Sequence, residues 1–435
     1  MAMTSTAWRN WAGNQEAVAS SVARPGSTDA VAAAVRSVLA AGGTVKPVGT
    51  GHSFTAAAAT TGTRMDLSNL TGIVSLSRAS KLVRVRAGTP LSQLNAELAQ
   101  QGLAMPNLGD IDVQTVSGAL ATGTHGTGKD YGCLSTFVVE LELVTGTGEV
   151  LRCSREQNPE VFSAALVGVG AIGVVTEVTL RCVDAFVLHA DERPTPLPEV
   201  LSRLDEHVGS NDHFEFYWMP YTDKTLTKSN NRVPADNKPR GTFNRWLNDD
   251  LLENTALGLV CRMCRFRPKW TPRLLRTTAS AFSPRDYTER SDLVFTSPRR
   301  VKFVEMEYGL PRAAVPEAFA ALRRIIDGLA VPVALPVEVR FTAADDIWLS
   351  HGNGRENGYI AIHQFIGMPY EQYFRSFDQV CTSLGGRPHW GKMHYRDAAS
   401  LRPAYPLFDD FLAVRDKTDP HRVFANDYTR QIFGA

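Results

Sequence analysis

Residues 48–54 read VGTGHSF and residues 117–128 read SGALATGTHGTG, and these two glycine-rich loops are the most informative part of the sequence. Glycine lets a backbone come close to a ligand, and successive main-chain N–H groups can surround a pyrophosphate. Neither loop has the G-x-G-x-x-G spacing of a nicotinamide site or the G-x-x-x-x-G-K-[ST] spacing of a P-loop. Together with a third glycine run at 168–173, they indicate a long ligand clamped from both sides, such as a dinucleotide. Ordinary tight turns are the alternative explanation.

Predicted helices and strands alternate around these loops. Ser27 caps a helix over AVAAAVRSVLAA, and the strand TVKPV leads into the first loop. GIVSLS and KLVRVRAG are predicted strands, followed by the helix LSQLNAELAQQ. FVVELELVTGTGEVLRCS is a predicted hairpin, and VFSAALVGVGAIGVVTEVTLRCV is predicted as a helix, a glycine turn and a final strand.

The second half mixes predicted strands with predicted helices. The strands are HFEFYWMPY, VKFVEMEYGL, VEVRF and GYIAIHQFI, and the helices are PEAFAALRRIIDGLA and EQYFRSFDQVCTSL. This pattern predicts an α+β protein with one sheet covered by helices. Because 21 of the 34 glycines precede Asp184, we predict one domain over residues 1–183 and another over 184–435.

Composition excludes several classes of protein. A net charge of +1 over 435 residues provides no broad positive field for nucleic acid. The first residues contain no basic segment followed by an apolar run, and no stretch is apolar enough to span a membrane. We therefore expect a cytoplasmic enzyme without a transmembrane segment, in a reducing compartment. Cys261 and Cys264 are predicted to be half-buried thiols on a helix, in preference to a zinc or redox site.

Four motifs in family order carry a resemblance: the two glycine loops, Glu338-Val339-Arg340 and His389-Trp390-Gly391-Lys392. The similarity extends over essentially the whole chain, including the ending DPHRVFANDYTR. Together they resemble the vanillyl-alcohol-oxidase superfamily, and within it the sugar-1,4-lactone oxidoreductases, which include L-gulono-1,4-lactone dehydrogenases and D-arabinono-1,4-lactone oxidases. The resemblance implies an FAD-binding domain of that type, a substrate domain, and a C-terminal segment from about residue 388 that returns to the flavin.

The resemblance also implies that FAD is attached covalently to His52. Neutral imidazole is a good nucleophile near pH 7, whereas the alternative is a turn histidine that hydrogen-bonds its own loop. Cys133 does not match the cysteine of doubly linked relatives, so a single attachment is expected. The predicted cofactor-binding residues are Val48, Gly49, Thr50, Gly51, His52, Ser53, Ser117, Gly118, Thr122, Thr124, His125, Gly173 and Val175.

Strand VEVRF provides the predicted substrate contacts. Its alternation turns Val337, Val339 and Phe341 to a core and leaves Glu338 and Arg340 side by side on the other face. From spacing alone, an exposed ion pair is equally acceptable. The resemblance implies that this pair lines the pocket and binds sugar hydroxyls, since a carboxylate accepts and a guanidinium donates in fixed geometry.

Lys392 and Thr115 are assigned from the resemblance, and His363 from its place on the strand IAIHQF. Lys392 is expected beside the flavin and the reacting hydroxyl, where it acts in catalysis with Glu338 and Arg340. His363 and Thr115 are expected to contact substrate, although a core histidine is an equal alternative for His363. Gln114, next to Thr115, is larger than the residues expected along an open oxygen path, which favours a dehydrogenase.

The expected reaction oxidises a secondary hydroxyl of an aldono-1,4-lactone, as in the conversion of L-gulono-1,4-lactone to L-ascorbate. Electrons then pass to oxygen, a cytochrome or a quinone, and contact of the second domain with a membrane surface stays open. An alditol oxidase acting on xylitol or sorbitol with oxygen is the nearest alternative. A flavin- or sugar-binding protein without turnover and a nicotinamide-dependent reductase are the others.

Overall fold

The computed structural model describes residues 6–234 and 254–434, whose strands form five sheets. The strands are β1 Ala7–Arg9, β2 Glu16–Val18, β3 Ser21–Ala23, β4 Val45–Val48, β5 Thr63–Asp66, β6 Ile73–Ser77, β7 Leu82–Arg86, β8 Leu103–Ala104, β9 Val138–Val144, β10 Val150–Ser154, β11 Val174–Arg181, β12 Val183–Asp184, β13 Val187–Pro196, β14 His213–Trp218, β15 Lys224–Val233, β16 Arg285–Arg290, β17 Phe303–Pro311, β18 Val337–Thr342, β19 Asn357–Phe365 and β20 Arg387–Pro388. The helices are α1 Thr28–Ala40, α2 Leu91–Gln100, α3 Val116–Ala121, α4 Pro159–Leu166, α5 Leu197–Ser202, α6 Leu204–Ser210, α7 Asn254–Phe266, α8 Thr271–Ser280, α9 Ser291–Phe295, α10 Val315–Gly328, α11 Glu371–Ser383, α12 Ala398–Leu401, α13 Phe408–Thr418 and α14 Asp427–Phe433. Short 3₁₀ turns cover Ala56–Ala58, Leu134–Phe137, Pro268–Trp270, Arg312–Ala314 and Arg402–Ala404. The mixture confirms the predicted α+β class.

A parallel sheet and an antiparallel sheet build the first part of the molecule. The parallel sheet has the order β3-β5-β4, and the antiparallel sheet has the order β10-β9-β11-β7-β6. Helix α1 begins as predicted, because the Ser27 side chain accepts a hydrogen bond from the Ala30 N–H. Its buried Val31 and Val35 pack with Val45 and Met65 of the parallel sheet. Each helix and strand predicted before residue 183 is confirmed.

An eight-stranded sheet organises the second part, in the order β16-β13-β15-β14-β18-β19-β17-β20. Every residue of β18 and β19 is buried, which requires cover on both faces. On one face, Val337, Val339 and Phe341 pack with Phe319 of α10 and Phe374 of α11. The predicted sheet covered by helices and the predicted inward face of VEVRF are therefore confirmed.

The chain changes from one sheet to the other over a short interval. Strand β11 ends at Arg181, and β13 of the eight-stranded sheet begins at Val187. Later, the chain returns to the first part. The Phe54 N–H donates to the Gly391 carbonyl at 2.7 Å. The Asn426 amide donates to the carbonyls of Ala56 at 2.9 Å and Ala59 at 2.9 Å, which ties the start of α14 to the segment after the first glycine loop.

The cysteine pair lies deeper than its sequence predicted. Cys261 and Cys264 lie on helix α7 as expected, but both thiols are fully buried, because α7 turns this face onto Val301, Leu335 and Phe365. The prediction that these thiols are half-buried was therefore wrong, because both are fully buried. All six cysteines are free. Within residues 6–234 and 254–434, none of the helices is long and apolar enough to cross a bilayer.

Candidate active site

Two cavities meet at a wall that His52, Ser53, Gln114 and Thr122 share. The first cavity encloses about 1090 Å³ of empty space, its mouth included, and the second about 1190 Å³. Most predicted cofactor-binding residues line the first cavity: Val48, Gly49, Thr50, Gly51, His52, Ser53, Ser117, Gly118, Thr122, Gly173 and Val175. The other two, Thr124 and His125, line the second. The two glycine loops therefore come together around one continuous site.

The wall of the first cavity suits an anionic ligand. Lys46 lines it, and no carboxylate of the described residues does. The buried Lys46 ammonium donates to the carbonyls of Gly170 at 3.0 Å and Phe424 at 2.8 Å. Burial lowers the pKa of Lys46 to about 7, against the opposing charge of Asp419. Gly51 and Gly170 have φ of 74° and 64°, so glycine backbone forms part of the wall. Glycine backbone and one amine, without acidic groups, fit the pyrophosphate of a dinucleotide such as FAD.

His52 lies where the two cavities meet. Its ring stacks on Trp11, with 5.4 Å between the ring centroids. Among residues 6–234 and 254–434, neither ring nitrogen of His52 has a hydrogen-bond partner, so the loop does not use this side chain to stabilise its own turn. Burial, followed by the charge of Lys392, lowers the pKa of His52 to about 4. The imidazole is therefore neutral near pH 7 and keeps a free lone pair.

Glu338 and Arg340 lie on the wall of the second cavity, both buried and in direct contact with each other. Arg340 also contacts Asp110, and its Nε donates to Glu215 at 3.1 Å. The Tyr217 hydroxyl donates to Glu338 at 3.1 Å. Burial raises the pKa of Glu338 well above its usual range, although the neighbouring guanidinium opposes this shift. The pair is thus fixed by a buried network, and the alternative of an exposed ion pair is excluded.

Lys392 reaches the same cavity from the His-Trp-Gly-Lys segment. Trp390 is fully buried and its Nε1 donates to the Leu349 carbonyl at 2.8 Å, which anchors the segment in the core. The Lys392 Nζ lies 2.5 Å from Oε2 of Glu305, and His363 Nε2 lies 3.5 Å from Oε1 of the same carboxylate. Burial disfavours the charge on Glu305, but Lys392 and His363 outweigh it and hold the pKa of this carboxyl at about 2.

His125, from the second glycine loop, forms another buried contact at this cavity. Its Nε2 lies 3.4 Å from Oε1 of Glu307, and its Nδ1 lies 2.9 Å from the Gly126 carbonyl. The ring stacks on Tyr359, with 3.6 Å between the ring centroids. Because the Nδ1–H donates to the carbonyl, the ring is held with Nε2 towards the carboxylate.

Comparisons with known proteins show the family of the chain. A model of an FAD binding domain matches residues 19–154, and the model of D-arabinono-1,4-lactone oxidase matches residues 178–432. The chain belongs to the D-arabinono-1,4-lactone oxidase family.

Relatives at the level of the whole chain agree with this family. The L-gulono-1,4-lactone dehydrogenase of Mycobacterium tuberculosis is 42% identical and covers 98% of this chain and 99% of that protein. The L-gulonolactone oxidase of Scyliorhinus torazame is 34% identical, over 89% of each chain. A solved cholesterol oxidase from Brevibacterium sterolicum has a TM-score of 0.83 at 20% identity, and it covers 99% of this chain and 97% of that chain. This last likeness shows a shared fold.

Two residues lie apart from the second cavity of this family member. Thr115 lines only the first cavity, and its Oγ1 accepts a hydrogen bond from the Gly118 N–H at 3.2 Å at the start of α3. The structure therefore does not bring it together with Glu338 and Arg340. Cys133 lines neither cavity, and it is buried beside Ser350, whose hydroxyl donates to its Sγ at 3.8 Å. His363 does lie with the predicted substrate residues.

Polar residues that the sequence did not predict also line the second cavity: Asp110, Tyr217, Arg299, Glu305 and Glu307. A usable signal existed for two of them. In VKFVEMEYGL, Glu305 and Glu307 alternate with buried apolar residues, as Glu338 and Arg340 do in VEVRF. Acidic residues at every second position of an otherwise apolar strand indicate a face that borders a polar cavity. Asp110 and Arg299 lie in irregular segments and carry no such signal.

Proposed function

We propose that this protein is an FAD-dependent dehydrogenase that oxidises a secondary hydroxyl of an aldono-1,4-lactone, with L-gulono-1,4-lactone as the model substrate. The observation that carries the proposal is the second cavity, in which Glu338–Arg340 and Lys392–Glu305 line one space next to His52. We further propose that residues 1–183 form the FAD domain, residues 184–435 form the substrate domain, and the segment from about 388 completes the cofactor site.

The first cavity would hold the nucleotide part of FAD, and His52 would attach to the flavin 8α-methyl group. Bound FAD supplies the oxidant that accepts hydride from the substrate. The neutral, unpaired imidazole of His52 supports single attachment through this residue. Cys133, outside both cavities and with a pKa that burial raises to about 12, is unsuited to a second bond.

Glu338 and Arg340 would hold the lactone by its hydroxyl groups. The fixed guanidinium donates and the carboxyl accepts, and Tyr217 holds the carboxyl in place. Because Asp110 and Glu215 also contact the guanidinium, its orientation is set before substrate arrives. Such pre-organisation lowers the barrier through positioning.

Lys392 would stabilise negative charge that develops at the reacting hydroxyl. Glu305 holds its ammonium at 2.5 Å and also lies 3.5 Å from His363. His363 Nδ1–H donates to the Pro336 carbonyl at 2.9 Å, which fixes the ring with Nε2 towards Glu305. We propose that the hydroxyl proton moves to the Glu305–His363 pair as hydride leaves the adjacent carbon.

The test is anaerobic mixing of the purified flavoprotein with L-gulono-1,4-lactone while the visible flavin band is followed. Loss of the band supports lactone oxidation. A band that persists with lactone but disappears with xylitol or sorbitol would replace the proposal with an alditol oxidase. If the flavin band disappears with NADPH alone, the protein is a nicotinamide-dependent reductase. If neither lactone, polyol nor NADPH changes the band, the protein binds flavin or sugar without turnover.

Gln114 supports the choice of a dehydrogenase over an oxidase. Its side chain lies at the wall shared by both cavities, and Nε2 donates to the Thr124 hydroxyl at 3.2 Å. We expect Gln114→Ala to accelerate reoxidation of the reduced protein by air at least several-fold, because the smaller side chain opens a path to the flavin. The measurement is recovery of the visible band after air is admitted. Thr124→Val is the matched control, since it removes the hydrogen bond without opening space, and an equal acceleration in this control would contradict the steric explanation.

Six free cysteines, all buried, support a reducing compartment. We infer a cytoplasmic location, with a cytochrome or a quinone as electron acceptor.

A further inference from the structure

An apolar stripe lies exposed on helix α7 and the turn that follows it. Leu259, Met263, Phe266 and Trp270 are 57%, 37%, 78% and 57% exposed. Leu259, Met263 and Phe266 follow one another at four and three residues on one face of α7, and Trp270 lies in the 3₁₀ turn that comes next. All the other large hydrophobic residues exposed in the described ranges are valines, scattered over the first part of the chain. A single exposed apolar side chain is ordinary, but four in one stripe mark an interaction surface.

This stripe is not a core face turned outward. The opposite side of α7 already packs inward, where Cys261 and Cys264 are fully buried and Leu257 and Val260 pack against the same cluster. The helix therefore has two apolar faces, and the core uses only one of them.

Positive charge surrounds the stripe. Residues 254–285 contain no aspartate or glutamate. Exposed cations flank the four apolar side chains: Arg262, Arg265, Arg267, Lys269, Arg273 and Arg276. None of the six forms an ion pair with a carboxylate in the part of the chain that the structure describes. Arg265 and Arg276 donate instead to the backbone carbonyls of Ile366 and Tyr221. In a chain of net charge +1, this is a strongly local positive field.

We propose that this basic apolar surface, residues 259–276, docks on an anionic lipid bilayer. A helix with exposed Phe, Trp and Leu among arginines and lysines lies in a membrane interface, where the rings enter the headgroup region and the cations meet lipid phosphates. Charge complementarity selects an anionic bilayer over a neutral one. Leu257, on the same helix, lines the second cavity, so docking brings this wall of the cavity towards the membrane. If the proposed function holds, a quinone dissolved in the bilayer becomes an accessible electron acceptor.

The experiment is flotation of the full-length flavoprotein with vesicles of phosphatidylcholine alone or of equal parts phosphatidylcholine and phosphatidylglycerol. We expect roughly tenfold or greater preference for the anionic vesicles, and a decrease in binding as salt rises. The double variant Phe266→Ser/Trp270→Ser and the triple variant Arg262→Gln/Arg267→Gln/Arg273→Gln should each reduce binding by roughly tenfold or more. Matched controls, Val18→Ser/Val74→Ser and Arg181→Gln, remove exposed apolar area and charge elsewhere and should bind like the original protein.

Retention of the flavin spectrum shows that each variant is folded, and it does not depend on which substrate the enzyme oxidises. Equal binding to both vesicle types, or binding that the surface variants leave unchanged, would overturn the proposal. Concentration-dependent self-association that the same variants abolish, without vesicle binding by the original protein, would assign the surface to a second copy of the chain instead. A failed lactone test would leave the vesicle result unaffected.

Discussion

We expect the His52→Ala variant to release its flavin completely on denaturation, whereas the original protein should keep its flavin when denatured. The imidazole lies at the meeting point of the two cavities, neither of its nitrogens is paired in the described chain, and its pKa of about 4 keeps it neutral across the physiological range. No other residue on the shared wall offers a comparable nucleophile, since Ser53, Gln114 and Thr122 are its neighbours there. The measurement is flavin absorbance in the washed acid precipitate and in the supernatant.

His125→Gln is the matched control for the linkage. His125 lies in the second glycine loop and lines the second cavity, but its Nδ1 faces the Gly126 carbonyl and its Nε2 faces Glu307. This variant should keep its flavin in the precipitate. Colour that remains with denatured His52→Ala protein would rule out attachment through His52.

Replacing Lys392 by methionine should slow reduction of the flavin by lactone roughly 10²- to 10³-fold, the usual effect of removing one preorganised electrostatic group. Binding of lactone should change far less, because Glu338 and Arg340 hold the sugar. Single-turnover mixing over a range of lactone concentrations separates the limiting rate from the apparent dissociation constant. An unchanged limiting rate would remove Lys392 from the mechanism.

Glu305→Gln distinguishes the charge of Lys392 from its position. This variant keeps the ammonium but loses the carboxylate that lies 2.5 Å from it. If Glu305 positions Lys392 and takes part in proton transfer, the limiting rate falls and its dependence on pH changes. Lys392→Arg, which keeps a cation near Glu305, should recover part of the rate lost in the methionine variant.

The sequence predicted the fold well where signals are local. Helix caps, glycine turns and the alternation of VEVRF each depend on a few neighbouring residues. The predictions made from them, namely α1, the β9–β10 hairpin and the inward face of β18, are confirmed. FAD and the substrate role of Glu338 and Arg340 were predicted from the family resemblance, because residue spacing alone did not indicate them.

Other parts of the site depend on contacts between distant segments. Asp110 and Arg340 are in contact although they are 230 positions apart in the chain, and the residues next to either one do not predict this contact. The buried thiols of α7 and the position of Thr115 in the first cavity likewise follow from packing between elements. Sequence patterns that span only a few neighbouring residues cannot predict such contacts.

The hydrogen bonds from Asn426 to the segment at 56–59 have a consequence for the order of events during protein synthesis. The amide of Asn426 and the carbonyl of Ala56 are 370 positions apart. At about 5–20 residues per second, the ribosome makes the second partner roughly 20 to 70 seconds after the first. Until then, Phe54 at the end of the loop that carries His52 lacks its partner Gly391, and the segment at 56–59 lacks Asn426. Capture of the cofactor in its finished site is therefore a post-translational event.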